Sequence, residues 1–124
     1  MITLSRRDDV ELVDWGWIQM RSPVLYHMPY GSLAVFTDGL MHPGQGFDMH
    51  PHRNLEIVSV ILEGEVTHRD STGNLTRMAA GSVQRITAGG HLPRRTHHVA
   101  GSSTHVPDLV HPNRAEPVAR LCAH

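Results

Sequence analysis

The chain contains no lysine and only one cysteine, and each shortage excludes a class of protein. The lone Cys122 excludes an internal disulfide framework and fits a reducing compartment. Eleven arginines against 12 acidic residues leave a net charge of −1, so the chain has no basic field to hold nucleic acid. Long apolar runs are also missing, and Met1–Asp9 has no signal-peptide core. We therefore expect a soluble cytoplasmic protein with no membrane partner.

Glycine and proline are plentiful, with 11 and 8 residues among 124, which favours one all-β domain over a helical bundle. The clearest predicted strand is the β-branched run Ile57–Leu62, and Glu63-Gly64-Glu65 forms a turn after it. Turns about every eight to twelve residues predict a sandwich or barrel, which we place at about residues 20–90. Further strands are predicted at Val66–Arg69, Leu75–Met78 and Val83–Thr87. The predicted core consists of Val58, Val60, Leu62, Val66, Val83 and Ile86.

The sequence His50-Pro51-His52 is the strongest local indication of chemistry. Residues two apart on a strand face the same way, so both imidazoles can point into a barrel, and Glu56 has the same parity. Imidazoles and carboxylates bind Fe(II), Mn, Ni, Cu or Zn. The alternative is a pair of surface histidines on a turn. His68 is predicted to be a solvent-facing or cross-strand residue.

The spacing from Gly44 through the two histidines to Glu56 and Gly64 resembles the first motif of the cupins. The match is closer to the pirin family, and it extends over about residues 1–90, which we take as an N-terminal cupin domain. The segments that carry this resemblance are Gly46–Arg53, Leu62–Val66, His68–Ser71, Gly73–Asn74, Ala80–Gln84 and Thr87–Gly89.

The resemblance implies a single cupin, that is, a jelly-roll-like antiparallel β-barrel. Because the chain departs from the family's pattern after about residue 90, we expect this barrel to be incomplete and followed by an irregular C-terminal tail. Pirin-like proteins are bicupins whose N-terminal barrel binds one metal, usually iron, so Fe(II) is the expected cofactor. Their ligands are the two histidines of the His-Pro-His motif, a third histidine and a later glutamate. His50 and His52 match the first two. The family's carboxylate at the position of Glu56 is not a ligand, but Glu56 stays as an alternative.

The tail, residues 91–124, is rich in proline, histidine and arginine, and prolines at that density disfavour central strands. By the family's spacing, the last two ligands fall at Arg94 and Thr96, and a guanidinium has no lone pair to donate. The candidate substitutes are therefore His91, His97 and His98, with His97 and His98 first in line. One codon choice for residues 91–96, read in the neighbouring frame, gives G-I-S-H-A-E, which is the family's motif. We hypothesise that the chain leaves the family's reading frame near Gly90.

Three functions follow from this resemblance. The first is a metal-dependent, quercetin 2,3-dioxygenase-type oxidation of a flavonol, a small-molecule substrate. The second is a non-catalytic regulator that binds a protein partner, and the third is an inactive fragment of a bicupin. A barrel that lacks its last strands would expose sheet edges, so we also expect a homodimer or a covering tail.

Overall fold

The computed structural model describes residues 4–88, 94–100 and 104–112. Within these residues the chain forms a 3-10 turn, Arg7–Asp9, and ten strands, and no helix is long and apolar enough to span a bilayer. The strands are β1 Leu12–Asp14, β2 Ile18–Val24, β3 Val35–Met41, β4 Gly46–His52, β5 Leu55–Val60, β6 Glu65–Asp70, β7 Leu75–Ala79, β8 Val83–Ala88, β9 Arg94–Ala100 and β10 Thr104–Pro112.

The strands build two antiparallel sheets that are not closed into a barrel. The larger sheet has the order β1-β2-β3-β10-β5-β8, and the smaller has the order β4-β9-β6-β7. The prediction of an all-β, antiparallel and incomplete barrel is therefore confirmed. The strands predicted at Val66–Arg69, Leu75–Met78 and Val83–Thr87 are also confirmed, because β6, β7 and β8 match them within a residue at each end.

The core lies between the two sheets and contains side chains from both. Its main cluster consists of Ile18, Met41, Ile61, Val66, Met78 and Val106. A smaller cluster of Leu55, Ile57 and Ile86 lies nearby, with the half-buried Val110 packed against it. Val106 and Val110 belong to β10, so the last described strand contributes to both clusters.

The predicted core is correct at Val66 and Ile86 and wrong elsewhere. Along β5 the buried positions are Leu55, Ile57 and Ser59, so its alternation is offset by one residue from the prediction. The run Ile57–Leu62 is apolar on both parities apart from Ser59, and such a run does not show which face is buried. The remaining predicted core residues are half-buried at Val58 and Val60, and 49% and 65% exposed at Leu62 and Val83.

The prediction of an irregular tail is wrong for residues 94–100 and 104–112, which form β9 and β10. Two prolines fit in β10 because each lies where only one neighbouring strand is paired. Pro107 pairs with Asp38 of β3, one residue before pairing with β5 begins, and Pro112 pairs with β5 after pairing with β3 has ended. A proline without an N–H is tolerated at such positions. Residues 113–124 lie outside the described residues.

Candidate metal centre

The two motif histidines lie at the end of β4, where the chain crosses from the smaller sheet to the larger. Only Arg53 and Asn54 separate β4 from β5, and Asn54 adopts a φ of 54°. Asparagine is one of the few residues that enters this left-handed conformation readily. The tight crossing therefore fixes His52 close to the junction of the sheets.

The imidazoles of His50 and His52 lie side by side. Their ring centroids are 4.5 Å apart, with an interplanar angle of 74°. The Nδ1 of His50 lies 2.7 Å from the carbonyl oxygen of Asp48, which can only accept, so Nδ1–H donates. In the neutral ring, Nε2 then carries the lone pair, as metal ligation requires.

His52 is held in its neutral form. Its pKa is lowered to about 4, first because burial disfavours the charged ring, and then because of the nearby His50 and His68. At neutral pH both electrostatics and burial thus favour an imidazole with a free lone pair. This state is the one a divalent ion needs.

His68 on β6 is buried, with 5% of its surface exposed, so the solvent-facing alternative is wrong. The cross-strand alternative is confirmed, because His68 pairs with Thr76 and His98 on the two neighbouring strands. Burial lowers its pKa, and the charge of Asp70 opposes that shift. Its side chain lines a cavity of about 260 Å³ at the open edge between β6, β7 and β8. The signal that predicts this burial is parity, because Val66 and His68 alternate with exposed or half-buried residues along β6.

The carboxylate of Glu56 contacts β8 instead of joining the two histidines. It accepts hydrogen bonds from Arg85 Nε at 2.9 Å and from Thr87 Oγ1 at 3.0 Å. Glu56 lies between the buried Leu55 and Ile57 in sequence and therefore faces away from the core. Among the described side chains, no three His, Cys, Asp or Glu residues come close enough together to hold a metal.

Strand β9 runs next to β4, and its register places the family's two remaining ligand positions beside the histidine pair. Arg94 pairs with His52 and Thr96 pairs with His50. His98 pairs with Phe47 on β4 and with His68 on β6, and His97 pairs with Arg69. The side chains of β9 lie outside the described part of the chain, so His97 and His98 are located by backbone register alone, and His91 lies outside the described residues.

An aromatic row, formed by Trp15, Trp17 and Phe47, extends from the surface to His50. The centroid of Phe47 lies 6.0 Å from that of His50 and 5.0 Å from that of Trp17, and both contacts are edge-on. Trp17 in turn lies 6.4 Å from the exposed Trp15. Phe47 was not a predicted site residue. Strict alternation along β4 would put Phe47 and His50 on opposite faces of the strand. The pairing of β4 with β9 has a bulge between these two residues, so their rings can meet.

Comparison with known proteins agrees with this geometry. The family model described as Pirin matches residues 5–105. The quercetin 2,3-dioxygenase of Escherichia coli strain K12 is 44% identical over 96 residues, which is 72% of this chain and 42% of that protein. The chain spans less than half the length of the curated relatives it matches.

Two solved structures agree with the fold. The E. coli bacterial pirin YhhW, solved in complex with nickel(II), aligns with a TM-score of 0.82 and 28% identity over 94% of this chain and 54% of its own. An RmlC-like cupin from Shewanella frigidimarina aligns with a TM-score of 0.70 over 93% of this chain and 95% of its own. Its identity is 16%, so that second likeness concerns the fold alone.

Proposed function

Because the chain belongs to the pirin family, whose model matches residues 5–105, we propose that it is a metal-binding cupin. Its ancestral activity is the quercetin 2,3-dioxygenase-type oxidation of a flavonol at a mononuclear divalent metal. The dioxygenase name belongs to a relative of which this chain matches 42%, so the reaction is part of the proposal.

One observation carries this proposal, namely the adjacency of the His50 and His52 rings at the end of β4. The hydrogen bond at His50 Nδ1 and the neutral state of His52 leave both rings able to donate a lone pair. The nickel(II) complex of the E. coli pirin supports a divalent ion. We propose Fe(II), and Mn, Ni, Cu and Zn are alternatives because imidazole suits all of them.

The donor set fits a metal only in part. The described side chains supply two imidazoles, whereas a catalytic site commonly uses three protein ligands. His97 and His98 are the proposed further ligands, because their strand lies between β4 and β6. A bound divalent metal would supply Lewis-acid polarisation of an oxygen atom. His50 and His52 would hold and orient that ion, and Phe47 of the aromatic row packs against the ring of His50.

The register of β9 favours the alternative of an inactive fragment. Arg94 pairs with His52, at the position where the family's third histidine is expected, and arginine brings a positive charge and no lone pair. Such a residue weakens a cation site and does not complete it. On this alternative the chain keeps the cupin fold and the histidine pair but does not turn over a flavonol.

The test is the metal content of the purified chain after anaerobic loading with Fe(II), measured by elemental analysis. We expect bound metal in the wild type and its loss in His50→Ala/His52→Ala. The matched control is His27→Ala/His42→Ala, which removes two exposed histidines and should keep the metal. Equal metal in both double variants, or none in the wild type, would contradict the proposal. Consumption of quercetin by the loaded wild type then separates the dioxygenase from the fragment.

A further inference from the structure

A second concave site lies on the outer face of the larger sheet, on the side away from the histidine pair. Along β2, Ile18 and Met20 contact the core, whereas Arg21 has the opposite parity. Along β3, Met41 is in the core, whereas Phe36 and Asp38 have the opposite parity. The outward-facing residues and the segment that precedes β1 enclose a cleft of about 320 Å³. That volume is within the range of small-molecule sites, roughly 300–1,000 Å³.

The walls of this cleft are mostly apolar. The five residues that supply them are Val10, Pro23, Phe36, Leu62 and Pro107. Leu62 is 49% exposed and has no described core role, although it lies in the most apolar run of the chain. A single exposed leucine elsewhere on a protein surface indicates nothing, but one that continues the apolar wall of a cleft indicates a binding surface that a ligand can cover.

The charge in the cleft is positive. Arg6, Arg7 and Arg21 line it together with a single carboxylate, that of Asp38. Arg7 Nε lies 3.6 Å from Asp38 Oδ2, so this carboxylate is already engaged with one arginine. Asp8 and Asp9 belong to the same segment but do not line the cleft. The lining residues therefore carry a net charge of two positive units, although the whole chain is at −1.

Arg21 gives the cleft a donor without an acceptor. Its Nη1 donates to the carbonyl oxygen of Val10, which holds the guanidinium in place. Its Nε is buried and has no hydrogen-bond partner among the described residues. A buried donor without a partner destabilises the fold, and the penalty is larger for a charged group. An acceptor on a ligand would remove that penalty once the side chains that cover Nε shift on binding.

We propose that this cleft binds a small organic carboxylate with an apolar body. The carboxylate accepts from the Arg21 guanidinium, whose planar fork matches its two oxygens, and Arg6 adds a second positive charge. The body lies against Phe36 and Leu62. A bare phosphate would leave the apolar walls uncovered, and a neutral apolar molecule would leave the Nε donor unpaired. The site is independent of any metal bound at the histidine pair.

The test is a titration of the metal-free full chain with 4-phenylbutyrate, followed by amide chemical shifts. We expect saturable shifts at the amides of Val10, Phe36 and Leu62, and none at His50. The neutral amide of the same acid should bind at least tenfold more weakly, and inorganic phosphate should not saturate the same shifts. Equal binding of the acid and its neutral amide would overturn the proposal, as would shifts scattered over the surface.

Variants distinguish loss of the site from loss of the fold. Arg21→Gln should weaken phenylbutyrate about tenfold or more, because a hydrogen bond to a charged group is lost. Arg6→Gln should weaken it about threefold, as expected for a solvent-screened charge. Arg69→Gln removes the same charge from an exposed residue of β6 outside the cleft and should change nothing. Leu62→Glu should abolish binding while the chain stays folded; unchanged affinity in that variant would overturn the proposal. If concentrating the ligand-free chain alone shifts the same amides, a second copy occupies the cleft and the proposal is wrong.

Discussion

Residues 12–88 contribute eight strands, among them the β-branched run of β5, whereas residues 94–100 and 104–112 contribute two strands that are rich in arginine, histidine and proline. The second region nevertheless has the more central position. Strand β10 lies between β3 and β5 in the larger sheet, and β9 lies between β4 and β6 in the smaller. The sequence of the first region predicts strands by itself. The second forms strands because four neighbouring edges offer it hydrogen-bond partners, so tertiary context outweighs its low propensity.

The largest effect that this comparison predicts is on a chain truncated after Ala88. The truncation removes β9, the one strand that pairs with β4 among the described residues, and β10, which links β3 to β5, and it exposes several strand edges. We expect no cooperative thermal unfolding by circular dichroism, although the most strand-like sequences remain. The matched control is a chain truncated after Pro112, which should unfold in one transition. If the shorter chain unfolds cooperatively with nearly the same midpoint, the first region folds alone and the comparison fails.

The next largest effect tests which residues of the apolar run Ile57–Leu62 face the core. Ile61 is 1% exposed and Leu62 is 49% exposed, although they are neighbours of equal size and hydrophobicity. Ile61→Ala should reduce the free energy of unfolding by about 2–5 kcal/mol, because it opens a cavity between the sheets. Leu62→Ala should cost less than about 1 kcal/mol. Chemical denaturation of both variants measures the difference, and a larger loss in Leu62→Ala than in Ile61→Ala would restore the parity predicted from the sequence.

Local features of the fold were predictable because they depend on nearby residues. The predicted turn at Gly64 has a positive φ of 76°, which glycine adopts without strain. The face of β5 was not predictable, since both of its parities are apolar. Strands β9 and β10 were not predictable because their pairing partners lie far away in the sequence. The neighbouring positions of His50 and His52 required only the two-residue repeat of a strand. The contact of Glu56 with Arg85 depended on a partner 29 residues away.

The two regions meet at the candidate metal centre, where β9 pairs with β4. Placing the family's histidine and glutamate on β9 is expected to raise the metal affinity strongly. Positions 94 and 96 pair with His52 and His50, so Arg94→His/Thr96→Glu should add two donors to the existing pair. We expect the affinity for a divalent metal to rise by roughly a hundredfold, since an imidazole and a carboxylate are added to the two existing imidazoles. Calorimetric titration with Ni(II) measures it.

The matched control for that repair is Arg95→His, because position 95 pairs with Pro51 and has the opposite parity on β9. It adds an imidazole to the same strand and should leave the affinity unchanged. An equal gain from both changes would show that any donor on β9 is sufficient and that the register has no influence. The repair also restores the histidine and glutamate that the neighbouring reading frame can encode. A gene sequence without that downstream frame would contradict the hypothesis of a shifted frame.

The smallest effect is on the pH dependence of stability, and it tests whether His52 of the first region is the group that causes it. Burial, His50 and His68 lower the pKa of His52 to about 4 from its ordinary 6.5, and the two histidines both lie within residues 12–88. Between these two values the unfolded chain binds the proton and the folded chain does not, so stability is full above pH 6.5 and is lost as the pH falls towards 4. His52 is only half-buried, and after allowance for solvent screening we expect a loss of about 1–2 kcal/mol. Denaturation at several pH values should show this slope in the wild type and a reduced slope in His52→Gln. The full slope in both would assign the effect to His68, whose pKa burial also lowers, and would move the pH-sensitive group from β4 to β6.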